Sequence, residues 1–258
     1  MRTMRRTSSL VFAVALTIAS RSPHAAATTP ILVELFTSEG CSDCPPADTV
    51  LQKLIETQPV GGAEIIGLGQ HVDYWDRQGW KDRFSSAALT SRQQVYATRF
   101  RNESIYTPQM VVDGRLEFVG SDAAAARRAI ERSLSTVHGA VRITVDTMAA
   151  DRVGVSVTAS DLPAPARGDR ADIIVAVTED QLRSDVKRGE NHGRVLTHAA
   201  VVRYMATIGE TGTLPAQANI PLAADWQRDH LKVVAFVQEL HSRGVLASAS
   251  VSLQNARR

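Results

Sequence analysis

The chain has 258 residues, 44% hydrophobic and 22% charged, with only 5% aromatic. Glycine (16) and proline (10) are not enriched, which excludes collagen-like and low-complexity classes, and two cysteines exclude a disulfide-dense mini-scaffold. The formal charge of +2 is small, and the N-terminus supplies it.

Residues 1–27 hold Arg2, Arg5, Arg6 and Arg21 and no acid; an apolar run, Leu10 to Ala19, follows the first three, and Ala25-Ala26-Ala27 ends the stretch. Ten apolar residues are half of the roughly 20 a bilayer-spanning helix needs. The pattern is that of a cleavable signal peptide cut after Ala27. It predicts a periplasmic or secreted protein with no membrane span after cleavage. Without those four arginines, 25 Lys+Arg face 27 Asp+Glu, a formal −2. The remaining basic residues form isolated pairs such as Arg127-Arg128, so no nucleic-acid partner is expected.

Residues 31–36 (ILVELF) predict a buried strand, and 45–57 a helix with Val50, Leu51, Leu54 and Ile55 on one face. Pro45 and Pro46 fit a first helical turn, where their missing N–H groups would go unpaired anyway. Gly61-Gly62 closes this unit before a second strand, 64–72. A polar, aromatic stretch (73–86) precedes a helix over 87–100. Asp113-Gly114, between short apolar runs within 106–120, signals a hairpin, and Ser121-Asp122 can cap a helix over 123–137. From Ala140 the text becomes runs of β-branched residues: 141–146, 152–160, 171–179, 195–208, 230–240 and 245–253. These predict an all-β region, most simply a sandwich. The expected organisation is therefore a signal peptide (1–27), an α/β domain (28–139) and a β-rich domain (140–258).

Cys41-Ser42-Asp43-Cys44 sits where a strand hands over to a helix. Unpaired N–H groups and the positive end of the helix dipole favour a thiolate there. Cys41 can then attack a disulfide and Cys44, one turn on, can resolve the product. Cys-x-x-Cys is also half of many zinc sites, and His71, which reads first as a structural histidine packed among aromatics, is alternatively a wall of the substrate groove or a third ligand. Tyr106-Thr107-Pro108 stands before the hairpin, and proline is the one residue with a low-cost cis peptide. A cis bond at Pro108 would turn the Thr107 backbone toward the sulfurs, where it could pair with a substrate chain.

Strand, Cys-x-x-Cys, helix, strand, helix, Thr-Pro, hairpin and helix resemble the thioredoxin-like superfamily. The segments VELFTSEGCSDCPPAD (33–48), HVDYWDRQGWKDRFSS (71–86), YTPQMVVDGR (106–115) and GENHGRVLTHAAVVR (189–203) together resemble the secreted bacterial DUF-1223 family. The resemblance implies an α/β thioredoxin-like domain followed by an all-β sandwich-like domain, with no biochemical function attached. It also implies that Glu34, one residue from the usual place, is a buried acid that shuttles the proton of the resolving cysteine; the alternative reading of the residue is a strand side chain that faces solvent or pairs with an arginine. A carboxylate in such a pocket is expected to have a raised pKa. The chain departs from the thioredoxin pattern with Gly40 in place of tryptophan, Ser-Asp between the cysteines, and two prolines after Cys44. Asp43 sets a carboxylate near Cys41, which disfavours the thiolate and predicts a less oxidising pair.

The expected function is exported thiol–disulfide exchange, with Cys41, Cys44, Thr107, Pro108 and Glu34 as the site, thiols or disulfides as partners, and no cofactor beyond the dithiol. Two rivals stand beside it. One is a binding protein with a structural disulfide; the other is a periplasmic copper or zinc handler using Cys41, Cys44 and His71. For the other polar residues a structural role is expected. Asp48 reads as a solvated helix residue, Trp80 and Phe84 as loop anchors, Asn191-His192 as a surface loop, and His198 as a half-buried strand residue.

Overall fold

The computed structural model describes residues 28–254. The expected signal peptide, residues 1–27, lies outside the described residues.

The first half runs β1 (Thr29–Thr37), α1 (Cys44–Thr57), β2 (Ala63–His71), α2 (Ala87–Phe100), β3 (Gln109–Val112), β4 (Leu116–Val119) and α3 (Ala123–Ser133). This is the element order that the hydrophobic pattern predicts, with the last helix ending four residues early. Local chemistry sets the boundaries. Pro45 and Pro46 occupy the first turn of α1. Ser86 caps α2 by accepting from the Ala88 N–H, and Asp122 caps α3 by accepting from the Ala125 N–H. Asp113 and Gly114 both take positive φ in the β3–β4 hairpin, where an L side chain is costly and glycine is not.

β1 lies parallel to β2 and antiparallel to β3. It is covered on both faces, which is why its sequence is a continuous apolar run. Ile31, Val33 and Leu35 pack with Leu51 and Leu54 of α1 and Ile130 of α3. Leu32 joins a second cluster with Leu68 and Phe236. Truncating one such fully buried side chain to alanine costs about 2–5 kcal/mol.

The second half runs β5 (Ala140–Met148), β6 (Arg152–Ser160), β7 (Ala171–Glu179), β8 (Leu182–Asp185), β9 (Val195–His198), β10 (Val201–Glu210), β11 (Ala216–Pro221), β12 (Leu231–Glu239) and β13 (Val245–Ser252). Here the expected α/β thioredoxin-like domain followed by an all-β sandwich-like domain is corrected. One mixed eight-stranded sheet, ordered β13-β12-β7-β10-β2-β1-β3-β4, takes strands from both halves. The molecule is mostly β-sheet, and the 139/140 boundary divides the sequence without dividing the sheet.

The join has a physical cause. β10 pairs with β2 in parallel at Val201 and Gly69, and the Gly69 N–H donates to the Ala200 carbonyl at 2.7 Å. A Cβ at Gly69 would stand 2.9 Å from the Ala199 carbonyl oxygen, so this approach requires glycine. Pairing also covers a β2 edge whose N–H and C=O groups would otherwise be open. A three-stranded sheet, β11-β6-β5, closes a second core, with Val153, Val155 and Val157 against Ile173, Val175, Val233 and Ala235.

The remaining ribbon, β8-β9, comes from a break in the stretch 195–208, which the apolar pattern reads as one strand. Ala200 adopts a φ of 50°, costly for a residue with a Cβ, while its N–H is held by the Asp180 carboxylate at 2.8 Å. The break turns β9 away from the large sheet and onto α1, which carries His198 toward the cysteines.

Candidate functional site

The loop between β1 and α1 carries the cysteine pair. Cys41 and Cys44 form a disulfide with their Cα atoms 5.4 Å apart, and Cys44 is the first residue of α1. Ser42 and Asp43 are exposed, whereas Cys41 is only 1% exposed and Cys44 0%.

Two segments cover the pair. From the loop 72–86, Trp75 donates its indole N–H to Thr107 Oγ1 at 2.8 Å. A Cβ at Gly40 would lie 3.0 Å from the Trp75 Cβ, so the glycine beside Cys41 gives this tryptophan its room. From the arm 186–194, Glu190 accepts from the Ser42 N–H at 3.0 Å. Asn191 donates to the carbonyls of Glu39 (3.0 Å) and Cys41 (2.8 Å). Asn191 is fully buried, which corrects its reading as a surface residue.

The Thr107–Pro108 peptide is cis. Pro108 is buried at the start of β3, where it, Leu35 and Ala47 of α1 converge on Gly120, leaving no space for a Cβ there. Thr107, Pro108 and the cysteine loop are thus on one side of the molecule, linked through Trp75.

Glu34 behaves otherwise than the resemblance implies. It is buried among the side chains of α2 and β2. Arg92 reaches it with two bonds of 2.7 and 2.9 Å, Gln70 donates at 2.5 Å, and the Tyr96 hydroxyl donates to Oε1. Burial alone would raise its pKa, but the Arg92 charge and these bonds together hold it below the ordinary carboxylate range. The expected raised pKa is therefore corrected. Glu34 is a locked ion-pair anion, and a proton carrier needs a group that titrates.

Behind the cysteine loop lies a polar cluster that pattern reading does not find. His198 stands between two carboxylates, with Nε2 3.4 Å from Glu39 Oε1 and Nδ1 3.5 Å from Asp48 Oδ2. Asp48 also accepts from Thr37 Oγ1 at 2.8 Å, and Glu39 accepts from the Trp80 indole at 2.7 Å. Asp82 accepts from the Glu39 N–H at 2.9 Å and faces His71 Nδ1 at 2.6 Å. The rings of His71 and His198 meet edge-on, 4.8 Å apart. His198 is 3% exposed and Asp48 8%, so neither is the solvated or half-buried residue its pattern suggests.

The electrostatics follow from this packing. Burial disfavours the His198 imidazolium, but Asp48 and Glu39 outweigh it and push its pKa up to about 9. Burial raises Glu39, and the His198 ring at 3.4 Å helps bring it below its usual range. Asp82 is likewise raised by burial but lowered on balance, chiefly by the His71 charge.

The ligand set expected for copper or zinc is not assembled. The two sulfurs are bonded to each other and His71 Nδ1 is engaged with Asp82. Among the described residues no group of three or more His, Cys, Asp or Glu has the geometry to hold a metal ion. No described helix is long and apolar enough to cross a membrane.

Sequence reading finds Cys41, Cys44, Thr107 and Pro108 but misses Glu39, Asp82, Asn191 and His198 as neighbours of the pair. One signal was present. Asn191 and His198 lie inside GENHGRVLTHAAVVR (189–203), one of the segments that carry the family resemblance and the only one in the second half.

Comparison with known proteins adds fold and family. No curated protein matches the chain. The crystal structure of protein AGR_C_4864 from Agrobacterium tumefaciens is similar at 24% identity, with 88% of this chain and 96% of that one covered and a TM-score of 0.65. This likeness concerns the fold alone. A domain of the outer membrane lipoprotein Omp28 from Porphyromonas gingivalis (13% identity, 45% and 88% covered, TM-score 0.30) is too distant to carry an argument. So is superoxide reductase (neelaredoxin) from Archaeoglobus fulgidus (16%, 46% and 92% covered, TM-score 0.24). The family described as "Protein of unknown function (DUF1223)" matches residues 32–238, four-fifths of the sequence, and the chain belongs to that family.

Proposed function

We propose that this protein is an exported thiol–disulfide exchange protein acting through Cys41 and Cys44, covered at rest by Trp75 and the arm 186–194. The observation that carries the reading is the placement of the pair. A disulfide at the first turn of a 14-residue helix lies at the positive end of the helix dipole, which stabilises a leaving thiolate, while Pro45 and Pro46 leave that turn with few N–H groups to add to it. A purely structural role would be a weak use of it. In the chain-entropy account a bridge closing about four residues stabilises by only about 2 kcal/mol, against about 4.7 for a loop of 100.

In the oxidising direction, one thiolate of a dithiol substrate attacks Cys41 Sγ and breaks the S–S bond. Cys44 leaves with the electron pair and takes up a proton. The second substrate thiolate then attacks the substrate sulfur of the mixed disulfide and releases Cys41 as thiolate. The substrate ends as a disulfide, two electrons reside on the cysteine pair, and the substrate's two protons pass to the pair or to solvent. Thr107 and Pro108 would flank the bound chain once Trp75 swings aside. The signal-peptide pattern of residues 1–27 supports export to the oxidising periplasm or exterior, where such a pair stays oxidised.

Burial of both sulfurs favours a second reading, in which the disulfide is a structural clasp for the polar cluster and the protein binds a partner without chemistry. Incubation of the folded protein with dithiothreitol and then a thiol-alkylating reagent separates the two. Exchange predicts reduction without unfolding, and a Cys44→Ser variant that traps a mixed disulfide where Cys41→Ser does not. A pair that resists reduction until the protein unfolds, or a potential well below about −300 mV, would establish the clasp.

A further inference from the structure

We infer that His198 is a positioning residue for the Cys41–Cys44 pair: lodged between Glu39 and Asp48, its imidazolium balances the charge behind the cysteines and so sets how readily the pair is reduced. The inference rests on the exchange reading above and names a group from the second half of the chain that tunes the same site.

The geometry ties His198 to both cysteines. Asp48 lies one helical turn after Cys44 on the same side of α1, and Glu39 lies two residues before Cys41. His198 spans the two carboxylates at 3.4 and 3.5 Å. Unlike the saturated Glu34, these atoms are held at ion-pair distance: Glu39 Oε1 and both ring nitrogens of His198 are buried without a close hydrogen-bond partner. Longer contacts leave the imidazole free to respond to charge nearby. The charged and titratable groups around it are Glu39 on the cysteine loop, Asp48 on α1, His71 on β2 and Asp82 on the loop that follows. A groove between α1 and the β8–β9 ribbon, lined by Gln52, Glu56, Asp180 and Lys232 as well as His198, adds the charges of Glu56, Asp180 and Lys232 to the surroundings of this residue.

With His198 protonated, the trio Glu39, Asp48 and His198 sums to −1. Without the imidazolium it sums to −2, which disfavours a thiolate and hence the reduced pair. Reduction by a dithiol breaks the S–S bond with two electrons and oxidises the dithiol to its own disulfide. The two protons go to Cys41 and Cys44, or to solvent where one sulfur stays a thiolate.

The test equilibrates the full mature chain with dithiothreitol redox buffers at pH 7. His198→Gln should move the equilibrium toward the disulfide roughly tenfold, the effect of one partly screened charge and about 30 mV for a two-electron couple. Adding Asp48→Asn restores the sum to −1 and should bring the equilibrium back within about threefold of wild type, which a merely structural histidine would not do. An unchanged equilibrium in His198→Gln, or a double variant displaced as far as the single one, overturns the inference. A measurement on the wild type alone covers the case in which His198→Gln does not fold. By reciprocity, an NMR titration should find the His198 pKa higher in the reduced than in the oxidised protein; equal values in the two states overturn the inference. A wild-type pair that never equilibrates while folded would instead remove the exchange reading itself.

Discussion

Glu34 and Glu39 are five residues apart, both fully buried, and chemically unlike. Glu34 lies within β1 against α2, and its oxygens are filled by Arg92, Tyr96 and Gln70. Burial acts to lower Arg92, but the Glu34 charge outweighs it and holds Arg92 above its ordinary value, while Tyr96 is pushed up by burial and by the carboxylate. Gln238 of β12 bonds Arg92 at 3.0 Å and the Tyr96 hydroxyl at 2.8 Å, so this network bolts the second half of the chain to the first. Glu39 lies just past the end of β1 and faces histidine in place of arginine, at longer range. A guanidinium stays charged at any working pH, so the Glu34 site is a fixed joint. The His198 imidazole, with its pKa pushed up to about 9 by the two carboxylates, can still lose its charge at moderately alkaline pH, so the Glu39 site can change charge. The molecule separates what holds it together from what can respond, and the responsive site is the one beside the cysteines.

Cutting the fixed joint should give the largest effect. Arg92→Met leaves the Glu34 carboxylate buried and unpaired, with a loss of about 3–5 kcal/mol in urea or thermal unfolding. Glu34→Leu combined with Arg92→Met should recover most of that loss, because apolar replacement of both partners is often close to neutral. A double variant no better than the single one would show that Gln70, Tyr96 and Gln238 need the ion pair to keep their positions.

The responsive site is sharpened by pH. The folded pKa of His198, about 9, lies above its unfolded value of about 6.5. Its stabilising contribution is therefore complete below about pH 6.5 and is lost as pH rises through 9, on the order of 3 kcal/mol by linkage. Glu39 and Asp82, both lowered by their partners against the effect of burial, act in the opposite sense: they stabilise above their unfolded values and fail as pH falls through their folded ones. Urea midpoints between pH 6 and 9.5 should decline in the wild type and decline less in His198→Gln. Parallel profiles would remove the charged histidine from the account.

A smaller change should come from the cover. Asn191→Ala removes the bonds to the Glu39 and Cys41 carbonyls and leaves buried acceptors unmet, a loss of about 1–2 kcal/mol. The same variant should speed reduction of the folded protein by dithiothreitol, because the arm no longer grips the cysteine loop. Lower stability with an unchanged reduction rate would mean that the arm braces the loop without gating it.

What could be read from the sequence was local. Pro45-Pro46 marks the start of α1, Asp122 its neighbour's cap at α3, and Asp113-Gly114 the hairpin, because each acts on its own few residues. Cys41 and Cys44 are three apart, so their meeting needed no knowledge of the rest of the chain. Asn191 and His198 carry no such mark: a polar loop residue and a histidine in an apolar strand look the same whether they face solvent or an acid 150 residues away. Glu34 was legible as an acid in an apolar strand that could pair with an arginine, but which arginine was not: Arg92 sits 58 residues further on, in a helix whose rotation the pattern leaves open.

Near neighbours in the chain set the order of the elements in the first half, the position of the cysteine pair at a helix start and the kinship with DUF1223. Long-range packing settles the rest: the β-rich half extends the first sheet through Gly69 and Val201, and the break at Ala200 brings His198 to Asp48 and Glu39. Period-two alternation says which residues form a strand and which face they share. It says nothing about which distant edge that strand will pair with, and at this site that choice supplies half the charges.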